Sequence, residues 1–167
     1  MGKSSSGKDT IYKKIREKLP QLKRITPYTT RPIREGETDG VEYFFVDEER
    51  LNELKEKERV IEVRSYYLVI GTLESYYGMR EYFGEEQLVP IYIEVEDGMR
   101  LERALCRERQ QKKPKYAEMC RRFLADAEDF SEENLKRAGI VRRFENLKME
   151  KCLSEITELI REEMTSL

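Results

Sequence analysis

Histidine is absent from the 167 residues, and cysteine occurs three times. Without an imidazole there is no histidine general base and no histidine metal ligand. Cys106, Cys120 and Cys152 show no paired metal spacing, so they read as reduced structural thiols of a cytosolic protein. A long apolar run is also lacking, which excludes a membrane-spanning helix, and no secretory leader is visible, so a cytoplasmic location is expected. An excess of either charge is missing as well: 32 Lys and Arg stand against 34 Asp and Glu, for a net charge of −2. A general nucleic-acid binder is strongly basic, so no nucleic-acid partner is expected, although a local basic cleft remains open. Charged residues make up 40% of the chain and the mean hydropathy is −0.78, as in a very soluble protein. The length still suffices for one compact domain with a core.

What the sequence does have is concentrated near its start. Gly2-Lys3-Ser4-Ser5-Ser6-Gly7-Lys8-Asp9-Thr10 matches the phosphate-loop spacing of glycine, four residues, glycine, lysine. Glycines let the backbone fold around an anion, and successive N–H groups then line one concave nest. A helix opening after Lys8 adds the positive end of its dipole, and Lys8 supplies a point charge for the terminal phosphates. A flexible glycine–serine leader would share the small residues, but not Gly7-Lys8 at this offset. The slot that usually holds a Mg²⁺-binding hydroxyl holds Asp9, with Thr10 next. Asp9 is the candidate to hold the metal through water, and Thr10 to face the phosphates. Such a loop is fed by a buried strand, and none precedes Gly2 in this sequence.

Periodicity and punctuation organise the rest. Helices are expected over 9–18 (Ile11, Ile15 and Leu19 on one face, Pro20 closing), from an Asp47 cap through Lys57, and over 73–82. Further helices are expected over 98–109 (Leu101 and Leu105 inward), 116–128 (Met119, Phe123 and Ala127 on one face) and 149–164, with a partial capping box at Ser131. Strands are expected over 22–25, 41–46, 60–63, 67–72, 88–95 and 140–144, those at 67–72 and 88–95 being apolar enough for buried parallel strands. Residues 26–40 have no period and read as an ordered loop. Strands alternating with helices imply a three-layer α/β fold with a parallel sheet.

At Thr29-Thr30-Arg31-Pro32-Ile33-Arg34-Glu35-Gly36-Glu37-Thr38-Asp39-Gly40-Val41-Glu42-Tyr43-Phe44-Phe45-Val46 the sequence resembles the acceptor segment of the guanylate kinase family, T-T-R-x-x-R-x-G-E-x-x-G-x-x-Y-x-F-V. The similarity runs from Gly2 to about Glu62 and resumes more weakly from Val89. It implies a P-loop nucleoside monophosphate kinase that uses ATP and Mg²⁺ to convert GMP to GDP. It also implies an α/β P-loop kinase fold: a parallel sheet flanked by helices, a small acceptor-binding subdomain and an arginine-rich lid. In this chain the core would be 1–25, 67–106 and 123–167, the acceptor subdomain 26–66 and the lid 107–122, as one domain over 1–167.

The resemblance places Arg31, Arg34 and Tyr43 around the acceptor phosphate, a role that suits planar guanidinium forks and a phenolic donor. Glu62 matches the guanine-reading carboxylate, which would accept from N1–H and the exocyclic amine. Arg107, Arg109 and Arg122 match lid arginines that close over the transferring phosphoryl group. Asn146 resembles the adenine-side asparagine, so the donor nucleotide would meet Gly2, Lys3, Ser4, Ser5, Ser6, Gly7, Lys8, Asp9, Thr10 and Asn146.

Departures from the family pattern keep two other readings open. Pro27 stands where a hydroxyl is expected, and Gly71 where a guanine-contacting aspartate is expected, with Thr72 as its substitute. The acceptor segment is short: Arg64-Ser65-Tyr66 runs straight into Tyr67, as though a hairpin near Ser65–Tyr67 were missing. The alternatives are a guanylate kinase-like module that holds a phosphorylated partner without turnover, and a kinase for another small acceptor. A monomer or a dimer fits equally.

Overall fold

The computed structural model describes residues 1–26, 28–33, 36–41, 43–50, 53 and 66–166. Pro27, Arg34, Glu62, the expected 60–63 strand, the far part of the Asp47-capped helix and most of the Ser65 junction lie outside these residues. The chain divides into two units, Met1–Leu19 with Ile70–Leu167, and Pro20–Val69.

In the first unit, helix α1 (Lys8–Lys18) buries Ile11 and Ile15, and Leu19 closes the same face. Spacings of four place these side chains one above another on a helix. The stripe packs on the C-terminal helix α6 (Met149–Ser166), whose Cys152, Leu153, Ile156, Leu159 and Ile160 are buried. Lys14 and Glu150 pair at 3.1 Å between the two helices. Helix α2 (Leu73–Phe83) starts at Thr72, whose hydroxyl accepts from the Ser75 N–H at 3.2 Å. Leu73 and Tyr76 of α2 join Tyr92, Phe130, Leu135, Ala138 and Ile140 in one apolar cluster.

Strand β5 (Tyr92–Glu94) runs parallel to β6 (Arg143–Glu145), with Tyr92 opposite Arg143 and Glu94 opposite Glu145. On the other side of β5 the Met1 nitrogen donates to the Ile91 carbonyl at 2.6 Å, and the Ile93 N–H donates to the Met1 carbonyl at 3.0 Å. These two bonds make one parallel rung. The residue immediately before the loop is therefore held as the end of a strand would be. Helices α3 (Asp97–Arg109) and α4 (Tyr116–Asp129) pack together, and the short α5 (Glu132–Arg137) is capped by the Ser131 hydroxyl.

Among its described residues the second unit holds two short parallel pairs. Strand β1 (Lys23–Arg24) pairs with β4 (Tyr67–Leu68), and β2 (Tyr28–Thr29) pairs with β3 (Phe44–Phe45). Tyr28 stacks on Phe44 with ring centroids 5.0 Å apart. Asp47 caps the helical residues that follow, accepting from the Arg50 N–H at 2.8 Å.

Two expectations need correction. The 67–72 run is extended only at Tyr67–Leu68, is half-buried rather than buried, and gives way at Thr72 to the α2 cap. A Cβ at Gly71 would lie 2.3 Å from the Ser75 hydroxyl oxygen, so a larger residue there would displace that hydroxyl from the Thr72 carbonyl it meets at 2.9 Å. On α3 the inward face is not that of Leu101, which is 40% exposed, but that of Arg100, Ala104 and Glu108. Polar partners set this rotation: Glu108 accepts from the Lys115 N–H, and Arg100 meets Asp97, Asp126 and the face of Phe123. An apolar periodicity cannot register a face made of satisfied charges.

Candidate functional site

The loop from Gly2 to Gly7 folds into a cradle fixed by close backbone approach. A Cβ at Gly2 would lie 2.6 Å from the Ile93 carbonyl oxygen, and one at Gly7 would lie 2.4 Å from Asn146 Nδ2. Gly7 has φ +83°, in the left-handed region where glycine carries no steric penalty. Ser5, at φ +63°, is the one non-glycine residue with positive φ among the described residues. The Ser6 N–H closes a turn onto the Lys3 carbonyl at 3.2 Å, and the first α1 bond runs from the Ile11 N–H to the Gly7 carbonyl.

Among the described residues no side chain caps the N-terminus of α1. The N–H groups of its first turn lack intrahelical acceptors and carry the positive end of the dipole. The hydroxyls of Ser5 and Ser6 are buried without a partner among the described residues, beside this turn. Unpartnered hydroxyls beside the open N-terminus of a helix fit a phosphate group. Lys8 is mostly buried, with its ammonium 3.8 Å from the carboxylate of the exposed Asp9.

The loop is held from below and behind. Asn146 is 2% exposed, and its Nδ2 donates to the Ser6 carbonyl at 2.8 Å. Its own backbone is pinned twice: its N–H donates to the Glu94 carbonyl at 2.8 Å, and Arg103 donates to its carbonyl at 3.1 Å. The residue expected on the adenine side thus lies against the loop backbone. Opposite, the Ser4 N–H donates to Asp126 Oδ2 at 2.8 Å. The wholly buried Arg100 donates to that same oxygen, to the Ser4 carbonyl and to Asp97. Burial raises the Asp97 pKa, but the Arg100 hydrogen bond and the charges of Lys3 and Arg100 outweigh it and hold the carboxyl below its usual range. The Asp97–Arg100 pairing has a sequence signal, a spacing of three on one helix. Asp126 has none, since its loop contact is tertiary.

Beside the loop, at the carboxyl ends of β5 and β6, an open cleft of about 450 Å³ is lined by Lys3, Glu94, Glu96, Asp97, Glu145 and Leu147. Glu96 accepts from the Gly98 and Met99 N–H groups, which hold its carboxyl below the usual range.

Arg107 and Arg109 are exposed in the last turn of α3, and Arg122 is 27% exposed on α4, with Glu118 3.8 Å from its Nε. Arg107 and Arg109 thus lie at the turn of the α3–α4 hairpin, and Arg122 midway along its second helix. Among the described residues no group of three or more His, Cys, Asp or Glu side chains is arranged for a metal. A magnesium ion travelling with a nucleotide needs only one or two protein carboxylates, and Asp9 in the first turn of α1 can supply one.

In the second unit, Arg31 forms a two-pronged ion pair with Glu37 at 2.8 and 2.5 Å. Its guanidinium carbon lies 4.8 Å from the centre of the Tyr43 ring and 5.2 Å from that of Phe45. The Glu37 hydrogen bonds raise its pKa further. Arg31 and Tyr43 are therefore brought together, with Glu37 on the guanidinium fork. Arg34 and Glu62 lie outside the described residues. Thr72 belongs to the first unit and caps α2.

A cradle of this kind at the head of α1, flanked by parallel strands and helices, defines an α/β P-loop kinase fold. Solved structures agree: guanylate kinase from Anaplasma phagocytophilum is similar with a TM-score of 0.65 over 97% of this chain and 82% of that one, at 17% identity. The family model described as guanylate kinase matches residues 1–79. Curated relatives named guanylate kinase include that of Thermobifida fusca, 43% identical over 36% of this chain and 31% of the relative. That of Helicobacter hepaticus is 30% identical over 50% of this chain and 52% of the relative. The family that this chain resembles is thus that of the guanylate kinases. The matches span between about a third and about half the length of these relatives. Among the described residues no helix is long and apolar enough to cross a membrane.

Proposed function

We propose that the chain transfers the γ-phosphoryl group of ATP to GMP, giving ADP and GDP, in the cytoplasm. The observation that carries this reading is the cradle: unpartnered Ser5 and Ser6 hydroxyls and an uncapped helix N-terminus around Gly2 and Gly7, beside Lys8. In this reading the loop amides and Lys8 orient the donor phosphates. Arg107, Arg109 and Arg122 offset the charge that spreads over the transferring group. Phosphoryl transfer asks chiefly for positioning and positive charge. Arg31, Arg34 and Tyr43 hold the acceptor phosphate, and Glu62 reads the guanine edge. Asp9, with Thr10 beside it, would hold Mg²⁺ through water, and the ion would supply positive charge for the phosphates.

A partner-binding module without turnover would need the Arg31–Tyr43 surface but not a furnished phosphate loop, so the loop favours the enzyme. The deciding experiment is a coupled ADP-release assay with Mg²⁺ and ATP across GMP, dGMP, AMP, CMP and UMP. Release with GMP and dGMP above the acceptor-free blank is expected. Release with AMP alone would transfer the reading to another acceptor, and no release with any would refute the kinase. Glu62→Gln, which puts an amide donor where two guanine donors point, should weaken discrimination of GMP from AMP several-fold.

A further inference from the structure

We propose that Asp126 and Arg100 are positioning residues for the phosphate loop, clamping Ser4 so that the next N–H, that of Ser5, is aimed at the donor phosphates. The inference rests on the kinase reading and adds two residues that no motif marks. Ser4 is gripped through both backbone groups: its N–H donates to Asp126 Oδ2 at 2.8 Å, and its carbonyl accepts from Arg100 Nη1 at 3.5 Å. Arg100 Nη1 also donates to Asp126 Oδ2 at 3.3 Å, so one carboxylate oxygen ties loop and arginine together. The guanidinium is itself fixed by Asp97 at 3.1 Å and by the Phe123 ring, whose centre lies 3.9 Å away. A wholly buried arginine is retained only where its charge is paired on several sides, as here.

The geometry of the peptide bond turns this grip into aim. Across a trans peptide the carbonyl and the following N–H point in opposite directions, and the described chain has no cis peptide. Holding the Ser4 carbonyl toward Arg100 therefore turns the Ser5 N–H away from it. It also fixes the plane entering Ser5, whose left-handed φ of +63° persists only where surroundings over-determine it. Asp126 lies one helical turn beyond Arg122 on α4, so the helix that grips the loop also carries a lid candidate.

The test uses the full chain and measures Mg·ATP binding by titration calorimetry, which needs no acceptor, together with the GMP KM and the melting temperature. Asp126→Asn should weaken ATP binding by about tenfold or more, the size of one charge-assisted hydrogen bond, while the GMP KM stays within about twofold. Ile156→Val, a core change elsewhere in the same unit, should lower the melting temperature and leave ATP affinity unchanged; this separates positioning from stability. Where Asp126→Asn does not fold, Arg100→Lys, which keeps the charge but loses the fork, gives the same reading. The Ser4 amide of the unaltered protein should also resist hydrogen exchange before nucleotide is added. Folded variants that bind ATP as the unaltered protein does, or a freely exchanging Ser4 amide, overturn the inference and leave the kinase reading standing. An unaltered protein that does not bind Mg·ATP overturns both.

Discussion

Gly7 and Asn146 occupy each other's space, and a double-mutant cycle should expose it. In Gly7→Ala the new Cβ would lie 2.4 Å from Asn146 Nδ2, so the amide must swing away from the Ser6 carbonyl it now meets at 2.8 Å. Placing alanine at φ +83° costs about 1–2 kcal/mol, and leaving a buried carbonyl without its donor costs about 1–3 kcal/mol more. The expected loss is therefore about 2–5 kcal/mol. In a chain of this size that lowers the melting temperature by about 4–20 °C. Asn146→Ala removes the same hydrogen bond from the other side and should cost about 1–3 kcal/mol on that account. In the double variant the bond is lost only once and the clash has gone, leaving the left-handed φ as the remaining cost of Gly7→Ala. The double loss should thus fall short of the sum of the single losses by about 1–3 kcal/mol. Urea unfolding with linear extrapolation measures all four corners. Additivity within about 0.5 kcal/mol would refute the reasoning, because residues that share one bond cannot act independently.

Other outcomes follow from the same geometry. Lys8→Ala should lower kcat by about a hundredfold or more with the melting temperature preserved, and near-normal turnover would remove Lys8 from the chemistry. Arg31→Lys gives up the fork that meets Glu37 and stacks on Tyr43; it should raise the acceptor KM by about ten- to a hundredfold, read in the coupled assay. Cys106 and Cys120 are exposed and should react with a thiol reagent in the native state, whereas the buried Cys152 should react only on unfolding. Burial pushes the Cys152 thiol up from 9.0 to about 11 and the Tyr92 hydroxyl up from 10.0 to about 12. Both groups stay neutral in the fold to higher pH than in the unfolded chain. Their stabilisation is therefore complete below about pH 9 and declines as pH rises through 9 toward 12, which alkaline melting curves should show. A flat profile over that range would contradict the burial argument.

The helices were legible because their signals are local. The apolar spacing of α1 and α6 and the caps at Asp47 and Ser131 all sit within a few residues of what they determine. The glycines of the loop were legible for the same reason. What escaped is whatever depends on a distant partner. Arg100 and Glu108 turn inward only because Asp126 and the Lys115 N–H meet them there, whereas the inward face of α3 was expected at Leu101 and Leu105. Asn146 stood out through its resemblance to a family motif, but its target, the Ser6 carbonyl, lies 140 residues away in sequence. The 67–72 run shows the limit of hydrophobicity itself. Apolar composition licensed a long strand, but only Tyr67–Leu68 found a paired neighbour.

The cradle written within the first eight residues is assembled by residues from much later in the chain. Ser4 waits for Asp126, 122 positions on, Ser6 for Asn146, and Met1 for Ile91. Contacts so far apart in sequence form late, after nearer ones have repaid the entropy of closing the chain between them. On a ribosome adding about 5–20 residues per second, roughly 7–30 seconds separate the synthesis of Ser6 from that of Asn146. During that interval the glycines and Lys8 exist as a motif without a shape. On the kinase reading, ATP would be met only by a chain whose β6 and the asparagine beyond it are in place, so nucleotide binding would report that this unit has closed.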